Sequence, residues 1–530
     1  MKKIGSWAGP LTAVLLVILL GIRHLADVRA GAGQSGSLWM EGRYFLLASG
    51  VAAALAVCGI LLFFKKAAWE WRFLAAVLSF GSLYLAVLPP LSAPDEISHF
   101  MSAYEISNRL LGVPGTDEEG YVLIRRADDF LQNIYGASGD EEHISLGRLL
   151  NQETYEILHE KSGEIFADPG ERELMPSVYR SVNTTPLAYL PQALGITAAR
   201  IFHFNGVILA FCCRFFNLGF FAAMGFLAVR FLPFGKPVLT GTAMLPMSLH
   251  LAASCSYDAF VMGLSFFFGS YCLYLAFAKP AVQKRDILVL SAVMAALGPC
   301  KIIYTVVMGF ALLIPVNKFG TRKKWLISAG TVLAVFLAAM VLVNSGTIAS
   351  YASGSDAYVS WAEEESYSIP LILHQPVRYL NLLYNTAAVQ GEEWYLTMMG
   401  ARLGNLDPVL SVPFAVIAAM TVCLVLMSVR KAGEALYLTG IQKAWILFLT
   451  AGCLLGLMTA MLVAWTPLSS QVIEGVQGRY LIPLLPFVLM TIKSDRLVKT
   501  AGNDETLFFY MCAMNGYALL RLFGIVSMRL

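Results

Sequence analysis

Long apolar runs joined by short polar connections make up most of the chain. A membrane-spanning helix needs about 20 predominantly apolar residues, and thirteen runs reach or approach that length. They lie near 8–25, 44–64, 72–90, 205–229, 237–255, 257–278, 287–300, 302–317, 324–345, 408–429, 443–465, 479–493 and 504–523. The pattern predicts an all-α polytopic membrane protein, a bundle of about 12–14 transmembrane helices.

Charge alternates between successive connections. Lysine and arginine concentrate in every second one, at Lys65, Lys66 and Arg72, Arg230 and Lys236, Lys279, Lys284 and Arg285, Lys318, Arg322, Lys323 and Lys324, Arg430, Lys431 and Lys443, and Lys493, Arg496 and Lys499. The others are acidic or neutral, with eighteen Asp and Glu against seven Lys and Arg between Leu91 and Thr185. The positive-inside rule then places the N-terminus in the cytoplasm and the loops 91–204 and 346–407 outside it.

One segment would break this alternation. Residues 186–203 are nearly long enough to span, but they contain Pro191, Gln192 and Arg200. We therefore expect a helix that stays at the outer surface or re-enters, packed on protein. The expected organisation is an N-terminal transmembrane hairpin, 1–70, and a membrane domain, 71–530, that carries both outer loops.

Composition narrows the class further. Hydrophobic residues make up 57% of the chain, charged residues only 14%, and the mean hydropathy is +0.65, which excludes a cytosolic enzyme, a disordered chain and a disulfide-stapled secreted scaffold. The net charge of +3 gives no basic patch, so no nucleic-acid partner is expected. The nine cysteines lie in or beside apolar runs and are interpreted as packing residues.

The first outer loop opens with the candidate chemistry. Asp95, Glu96 and His99 follow Pro94 at the end of a span, and a helix starting at Pro94 would place the three on one face. The alternative is a capped helix start with solvated acids, and the residues alone weigh the two about evenly. A single Glu-x-x-His lacks the further ligands that zinc or manganese needs. No cofactor is assigned; a divalent metal is possible but not indicated.

Several motifs carry a family resemblance. They are Ala93-Pro94-Asp95-Glu96-x-x-His99, Ala103-Tyr104-x-Ile106-Ser107, a segment from Pro186 to Gly195, Ser254-x-Ser256-x-Asp258-Ala259, Lys301-x-x-Tyr304, Gly404-x-Leu406-Asp407 and Gly475-Val-Gln477-Gly478-Arg479-Tyr480-x-Ile482-Pro483. In this order, the set resembles the domain-of-unknown-function 2142 family of bacterial membrane proteins. That family in turn looks like the integral-membrane glycosyltransferases of the GT-C fold.

The resemblance implies a GT-C-like bundle with a large helical first extracytoplasmic loop, in the bacterial cell membrane. It implies transfer of a sugar from a polyprenyl-phosphate donor to a wall polymer, polysaccharide or glycolipid, with membrane lipid as a further partner. Asp95 is then the first candidate for the catalytic base and Glu96 the second. His99, Tyr104 and Asp258 are supporting candidates. Lys301, Arg479 and Tyr480 are candidates for binding the donor phosphate.

Competing interpretations remain for individual residues and for the whole chain. Lys301 could simply extend to the membrane interface. Asp258 could pair with Arg214 or Arg200, structural pairing is the favoured role of Arg214, and His250 is expected to be a core histidine. The protein could also be a transporter or flippase of polyprenyl-linked sugars, or a non-catalytic assembly scaffold. Candidate charges at outer span ends, and the absence of a GxxxxGK[ST] sequence, favour an enzyme with a lipid-linked donor.

Overall fold

The computed structural model describes residues 2–133, 144–148, 150–182, 185–353, 358–500 and 502–529. The α-helices are α1 Lys2–Ser35, α2 Trp39–Gly59, α3 Trp69–Val87, α4 Glu96–Leu110, α5 Gln152–Lys161, α6 Leu190–Ile201, α7 Gly206–Phe231, α8 Lys236–Ala243, α9 Pro246–Ala252, α10 Asp258–Phe277, α11 Lys284–Leu297, α12 Arg322–Ser353, α13 Ile369–His374, α14 Pro376–Met399, α15 Phe414–Ser428, α16 Gly440–Trp465, α17 Leu485–Met490 and α18 Asp504–Ser527. The prediction of an all-α polytopic membrane protein is confirmed.

Short helices of other types and small β-pairs fill the connections. The 3₁₀ helices are Arg126–Leu131, Pro169–Arg172, Pro186–Tyr189, Ile302–Leu313, Val316–Phe319 and Gly478–Leu481, and α2 continues as a π-helix, Ile60–Phe64. The strands are β1 Tyr121–Arg125, β2 Leu174–Arg180, β3 Tyr358–Val359, β4 Glu364–Glu365, β5 Arg402–Leu403, β6 Asp407–Ser411, β7 Arg430–Lys431 and β8 Val498–Lys499. They pair in sequence order, antiparallel except for β7 with β8, which is parallel.

Within these ranges, eight helices are long and apolar enough to cross a membrane. They are Ala8–Ser35, Trp39–Phe64, Trp69–Val87, Gly206–Phe231, Asp258–Phe277, Arg322–Gly346, Gly440–Trp465 and Asp504–Ser527. The other five apolar runs of the sequence fold as shorter elements, so the bundle has fewer long helices than the 12–14 expected. Proline accounts for part of the difference: Pro246 separates α8 from α9, and Pro483 and Pro486 interrupt the run after Gly478.

The ambiguous segment 186–203 folds as a 3₁₀ turn followed by α6. With 12 residues α6 is about 18 Å long, well short of the roughly 30 Å hydrocarbon core. It lies against α4 and α7, and Arg200 donates a 2.6 Å hydrogen bond to the side chain of Asn108 on α4. The expectation that this segment packs on protein is confirmed.

Two groups of three helices organise the centre of the bundle. Helix α7 packs along both α3 and α10, and α1 and α2 pack along α18. The Tyr44 hydroxyl on α2 donates a 2.7 Å hydrogen bond to the Gly21 carbonyl on α1, which joins the N-terminal hairpin. Because α10 is almost entirely buried, it forms the core around which the other elements are arranged.

The basic connections meet at one end of the bundle. Arg72 in the first turn of α3 pairs with Glu505 of α18 at 3.1 Å, and Lys431 after α15 pairs with Asp504 at 2.6 Å. The Lys443 ammonium donates a hydrogen bond to the Lys493 carbonyl. The acidic loops therefore share the opposite end, where the candidate residues lie.

Candidate functional site

The turn between α3 and α4 gives Asp95 and Glu96 different environments. Helix α4 begins at Glu96, and Asp95 is its N-cap residue with a left-handed φ of 58°. The Asp95 side chain is 67% exposed, whereas that of Glu96 is completely buried. Glu96 and His99 share the buried face of α4, but the helix does not start at Pro94 and Asp95 does not lie on that face. The expectation that all three share a face is wrong.

Both carboxylate oxygens of Glu96 are bound to main-chain amides. The Cys255 N–H donates to Oε1 and the Ala93 N–H donates to Oε2, each at 2.8 Å. The Arg214 Nε lies 3.7 Å from Oε1 and is equally buried. The pairing expected for Arg214 is present, and its partner is Glu96.

The segment 253–256, which leads into Asp258, is held by buried side chains. Its carbonyl oxygens accept hydrogen bonds from Arg214 at 2.7 Å, from Asn217 at 2.7 and 3.0 Å, and from Gln192 at 3.3 and 3.4 Å. Two hydroxyl groups of the same segment accept from the amides that follow them. Because buried carbonyls need partners, these contacts fix the path of the chain into α10 and hence the position of Asp258.

Asp258 lies between two cations. The Lys301 ammonium donates to Oδ1 at 3.1 Å, and Arg479 Nε lies 3.5 Å from Oδ2. The Arg479 guanidinium also donates to Asp95 Oδ2 at 3.1 Å, so it links the buried carboxylate to the exposed one. The expected partners of Asp258, Arg214 and Arg200, are replaced by Lys301 and Arg479. We call these four residues, Asp95, Asp258, Lys301 and Arg479, the charged cluster.

Close packing beside α14 positions Arg479. It follows Gly478, where an added Cβ would overlap the Trp394 carbonyl oxygen, so only glycine permits this approach. The Gly478 amide donates to the Thr397 hydroxyl at 3.1 Å. Arg479 then donates to the Tyr480 hydroxyl at 3.2 Å. The Gly-Arg-Tyr element therefore joins α14 to the charged cluster.

Aromatic rings surround Lys301 and His99. The Lys301 ammonium lies 4.0 Å from the ring centre of Tyr480 and 5.1 Å from that of Tyr257, within the range of cation–π attraction. His99 Nδ1 is 2.7 Å from the Tyr189 hydroxyl, and its ring meets Tyr257 edge-on. Burial lowers the pKa of His99 to about 4, against the opposing effect of the nearby carboxylates, so the imidazole is neutral at pH 7. In this structure its side-chain hydrogen bond goes to Tyr189, not to Asp95 or Glu96.

The supporting candidate Tyr104 and the expected core histidine, His250, lie outside the charged cluster. The Tyr104 hydroxyl donates to Asp128 at 2.7 Å, and Asp128 forms a buried ion pair with Arg125 at 2.9 Å. Tyr104 thus joins α4 to the 3₁₀ helix Arg126–Leu131 of the same outer loop. His250 is buried in α9 with Nε2 3.3 Å from the Gly404 carbonyl, as expected of a core histidine.

An apolar groove of about 760 Å³ begins at Lys301. The 3₁₀ helix Ile302–Leu313, α12 and α16 form its walls, and Lys301 and Tyr480 belong to its lining, in which Lys301 is the charged residue. Leu455 on its wall is 47% exposed, and most of α12 faces outward, so the groove opens towards the lateral surface of the bundle. Asn344 kinks α12 at this level and donates to the Pro299 carbonyl at 3.1 Å.

Comparison with known families gives a match over most of the chain. Residues 78–488 match the family described as predicted membrane protein, DUF2142. The chain belongs to this family. No curated protein and no solved structure matches it significantly. Every residue of the charged cluster lies inside the segment that matches DUF2142.

The sequence did not reveal all residues that shape this DUF2142 site. The Glu96–Arg214 pair and the rings of Tyr189 and Tyr257 were not assigned to it. Tyr257 lies directly before Asp258, and Tyr189 falls within the motif from Pro186 to Gly195, so both were adjacent to recognised patterns. Within the described ranges, no group of three or more His, Cys, Asp or Glu side chains has the geometry to hold a metal ion.

Proposed function

We propose that this DUF2142 protein is a glycosyltransferase with a GT-C-like arrangement. It transfers a sugar from a polyprenyl-phosphate donor to a hydroxyl group of a cell-envelope acceptor, on the extracytoplasmic face of the bacterial cell membrane. The supporting observation is that an exposed carboxylate, Asp95, pairs with Arg479, that Arg479 and Lys301 both lie against Asp258, and that Lys301 lines an apolar groove.

Charge and shape beside Lys301 suit a lipid phosphate. Lys301 and Arg479 carry two positive charges, and Asp258 is the buried carboxylate between them, whereas the second carboxylate of the cluster, Asp95, is 67% exposed. The buried part of the cluster therefore carries one more positive charge than negative. The Lys301 side chain is 21% exposed and lines the groove, so a phosphate bound in this part of the groove would lie beside it. A prenyl chain would occupy the apolar groove, and the cations would stabilise the negative charge that develops on the leaving phosphate.

Asp95 has the environment of a general base. Arg479 holds Oδ2, the side chain is two-thirds exposed, and no donor among the described residues contacts Oδ1. In the reaction, the acceptor oxygen attacks the anomeric carbon as the bond from that carbon to the phosphate oxygen breaks. The electron pair leaves with the phosphate and the acceptor proton moves to Asp95. Glu96, with both oxygens bound and no exposed surface, is the weaker candidate for this role.

The first outer loop supports the GT-C-like assignment. Helices α4, α5 and α6 lie in the 91–204 loop, so the loop is helical in part and its first helix begins directly after Asp95. The opposite end of the bundle collects the basic connections, which favours a cytoplasmic position for that end. The charged cluster would then face the outside of the cell.

Asp95→Asn tests the mechanism, because the amide keeps the volume but cannot accept the proton. With purified protein and a labelled polyprenyl-phosphate sugar, we expect turnover to fall by roughly a hundredfold to ten-thousandfold. Glu160→Gln, at an exposed acid of the same loop, is the matched control and should transfer normally. Near-normal transfer by a well-folded Asp95→Asn protein would exclude Asp95 as the base.

Lys301 variants test the donor site. Lys301→Arg keeps the charge and should retain donor use, whereas Lys301→Ala should raise the KM for the donor and lower turnover. Equal kinetics for Lys301→Ala and the unmodified protein would leave Lys301 as a residue that only extends to the interface. Movement of the lipid-linked sugar across vesicles without transfer would instead indicate a flippase.

A further inference from the structure

We propose that Glu96 is a positioning residue that sets the distance between Asp95 and the rest of the charged cluster. Its carboxylate binds one main-chain amide in the turn that carries Asp95 and another in the segment that leads to Asp258, and so fixes these two segments relative to each other. The catalytic consequence rests on the proposed function. The structural tie itself is independent of that function and can be measured separately.

The two amides that bind Glu96 belong to distant parts of the chain. Ala93 lies in the turn that carries Asp95, and Cys255 lies in the segment that carries Asp258. An ionised carboxylate has two acceptor oxygens and no donor, so it satisfies two converging N–H groups at once. Since Glu96 and Cys255 are 159 residues apart, one side chain joins two segments that have no local connection.

Arg214 joins the same two regions through the opposite groups. Its guanidinium donates to the Leu88 carbonyl at the end of α3 and to the Ala253 carbonyl before α10, each at 2.7 Å. Glu96 therefore accepts hydrogen bonds from an amide of each segment, and Arg214 donates hydrogen bonds to a carbonyl of each segment. The two side chains are fully buried and 3.7 Å apart, so each also compensates the charge of the other.

Both carboxylates of the charged cluster are close in sequence to the residues that this pair of side chains connects. Asp95 directly precedes Glu96, and Asp258 lies three residues after Cys255. A shift of either segment would change the separation between the base and the cations that bind the donor. Because catalysis depends strongly on such alignment, loss of the tie should lower kcat more than it weakens donor binding.

Glu96→Gln tests the two hydrogen bonds from the Ala93 and Cys255 amides independently of catalysis. The glutamine oxygen can accept from one amide, but its NH₂ group would face the other N–H donor. In residue-resolved hydrogen exchange, we expect the Ala93 or the Cys255 amide, or both, to exchange at least tenfold faster than in the unmodified protein. Glu105→Gln, whose carboxylate pairs with Arg109 on the same helix, is the matched control and should leave both amides unchanged.

Kinetics provide the second readout. Glu96→Gln should lower kcat at least tenfold with the donor KM within about twofold. If Glu96→Gln does not fold, Glu96→Asp keeps the charge but is too short to reach both amides, so faster exchange is expected at one of them.

Unchanged exchange at both amides in Glu96→Gln would overturn the proposal. So would near-normal turnover by a well-folded Asp95→Asn protein together with an inactive Glu96→Gln protein, because Glu96 would then be the base. Faster exchange in Glu96→Gln, with no sugar transfer even by the unmodified protein, would confirm the tie and reject only the proposed function.

Discussion

The arrangement of the charged cluster implies that its buried carboxylate, Asp258, matters more for stability than its cation Lys301. Asp258 is the only buried carboxylate between Lys301 and Arg479 among the described residues of the cluster. Asp258→Asn would leave both cations without a buried partner. Lys301→Met would leave one buried carboxylate facing one buried guanidinium, a balanced pair. We therefore expect Asp258→Asn to destabilise the protein more than Lys301→Met does.

The distances set the size of this difference. At an effective dielectric constant of about 20, unit charges 3.1 or 3.5 Å apart attract by about 5 kcal/mol. Asp258→Asn removes two such attractions, and Lys301→Met removes one and also relieves the repulsion between the cations. After rehydration, the net cost should be about 3–5 kcal/mol for Asp258→Asn. For Lys301→Met it should be about 1.5–3 kcal/mol, the range for a hydrogen bond to a charged group.

The free energy of unfolding measures this directly. Purified variants would be titrated with a denaturing detergent in mixed lipid micelles, with refolding checked at each point. Lys301→Arg is the control, because it retains the charge and should lose less stability than Lys301→Met. The reasoning is refuted if Lys301→Met is as destabilising as Asp258→Asn, since the buried part of the cluster would then not carry an excess positive charge.

Three other results are expected. Gly478→Ala should sharply reduce the amount of folded protein, because its methyl group meets a backbone carbonyl, whereas Gly452→Ala has open space and should fold normally, as thermal unfolding will show. As the pH falls from 6.5 to about 4, the unmodified protein should lose up to about 3 kcal/mol more unfolding free energy than His99→Gln does. The reason is that the His99 imidazole becomes protonated in the unfolded chain but stays neutral when buried. Equal pH dependence of the two proteins would contradict this. A maleimide should label Ser360→Cys on intact cells but Lys323→Cys only after permeabilisation, and the reverse would invert the proposed orientation.

Features that depend on local sequence were predictable. The long spans follow from runs of apolar residues, and the grouping of Asp258, Lys301 and Arg479 at one end follows from counting those runs. The different environments of Asp95 and Glu96 were not predictable, because they depend on the contact of Glu96 with an amide 159 residues away. The role of Tyr104 in the outer loop depends likewise on its contact with Asp128, for which the motif gives no indication.

The left-handed backbone at Asp95 restricts what a mutational scan at this position can report. For most side chains this conformation costs roughly 1–2 kcal/mol, and Asn, Asp and Gly are the residues that adopt it readily. Ala or Glu at position 95 would therefore disturb the turn as well as the carboxylate, and their loss of activity would mix two causes. Of the replacements that remove the negative charge but keep a polar side chain, Asn alone leaves the backbone preference nearly intact. A scan that ranks residues here by activity would thus measure backbone tolerance together with chemistry, and the comparison of Asp with Asn is the one that isolates the proton acceptor.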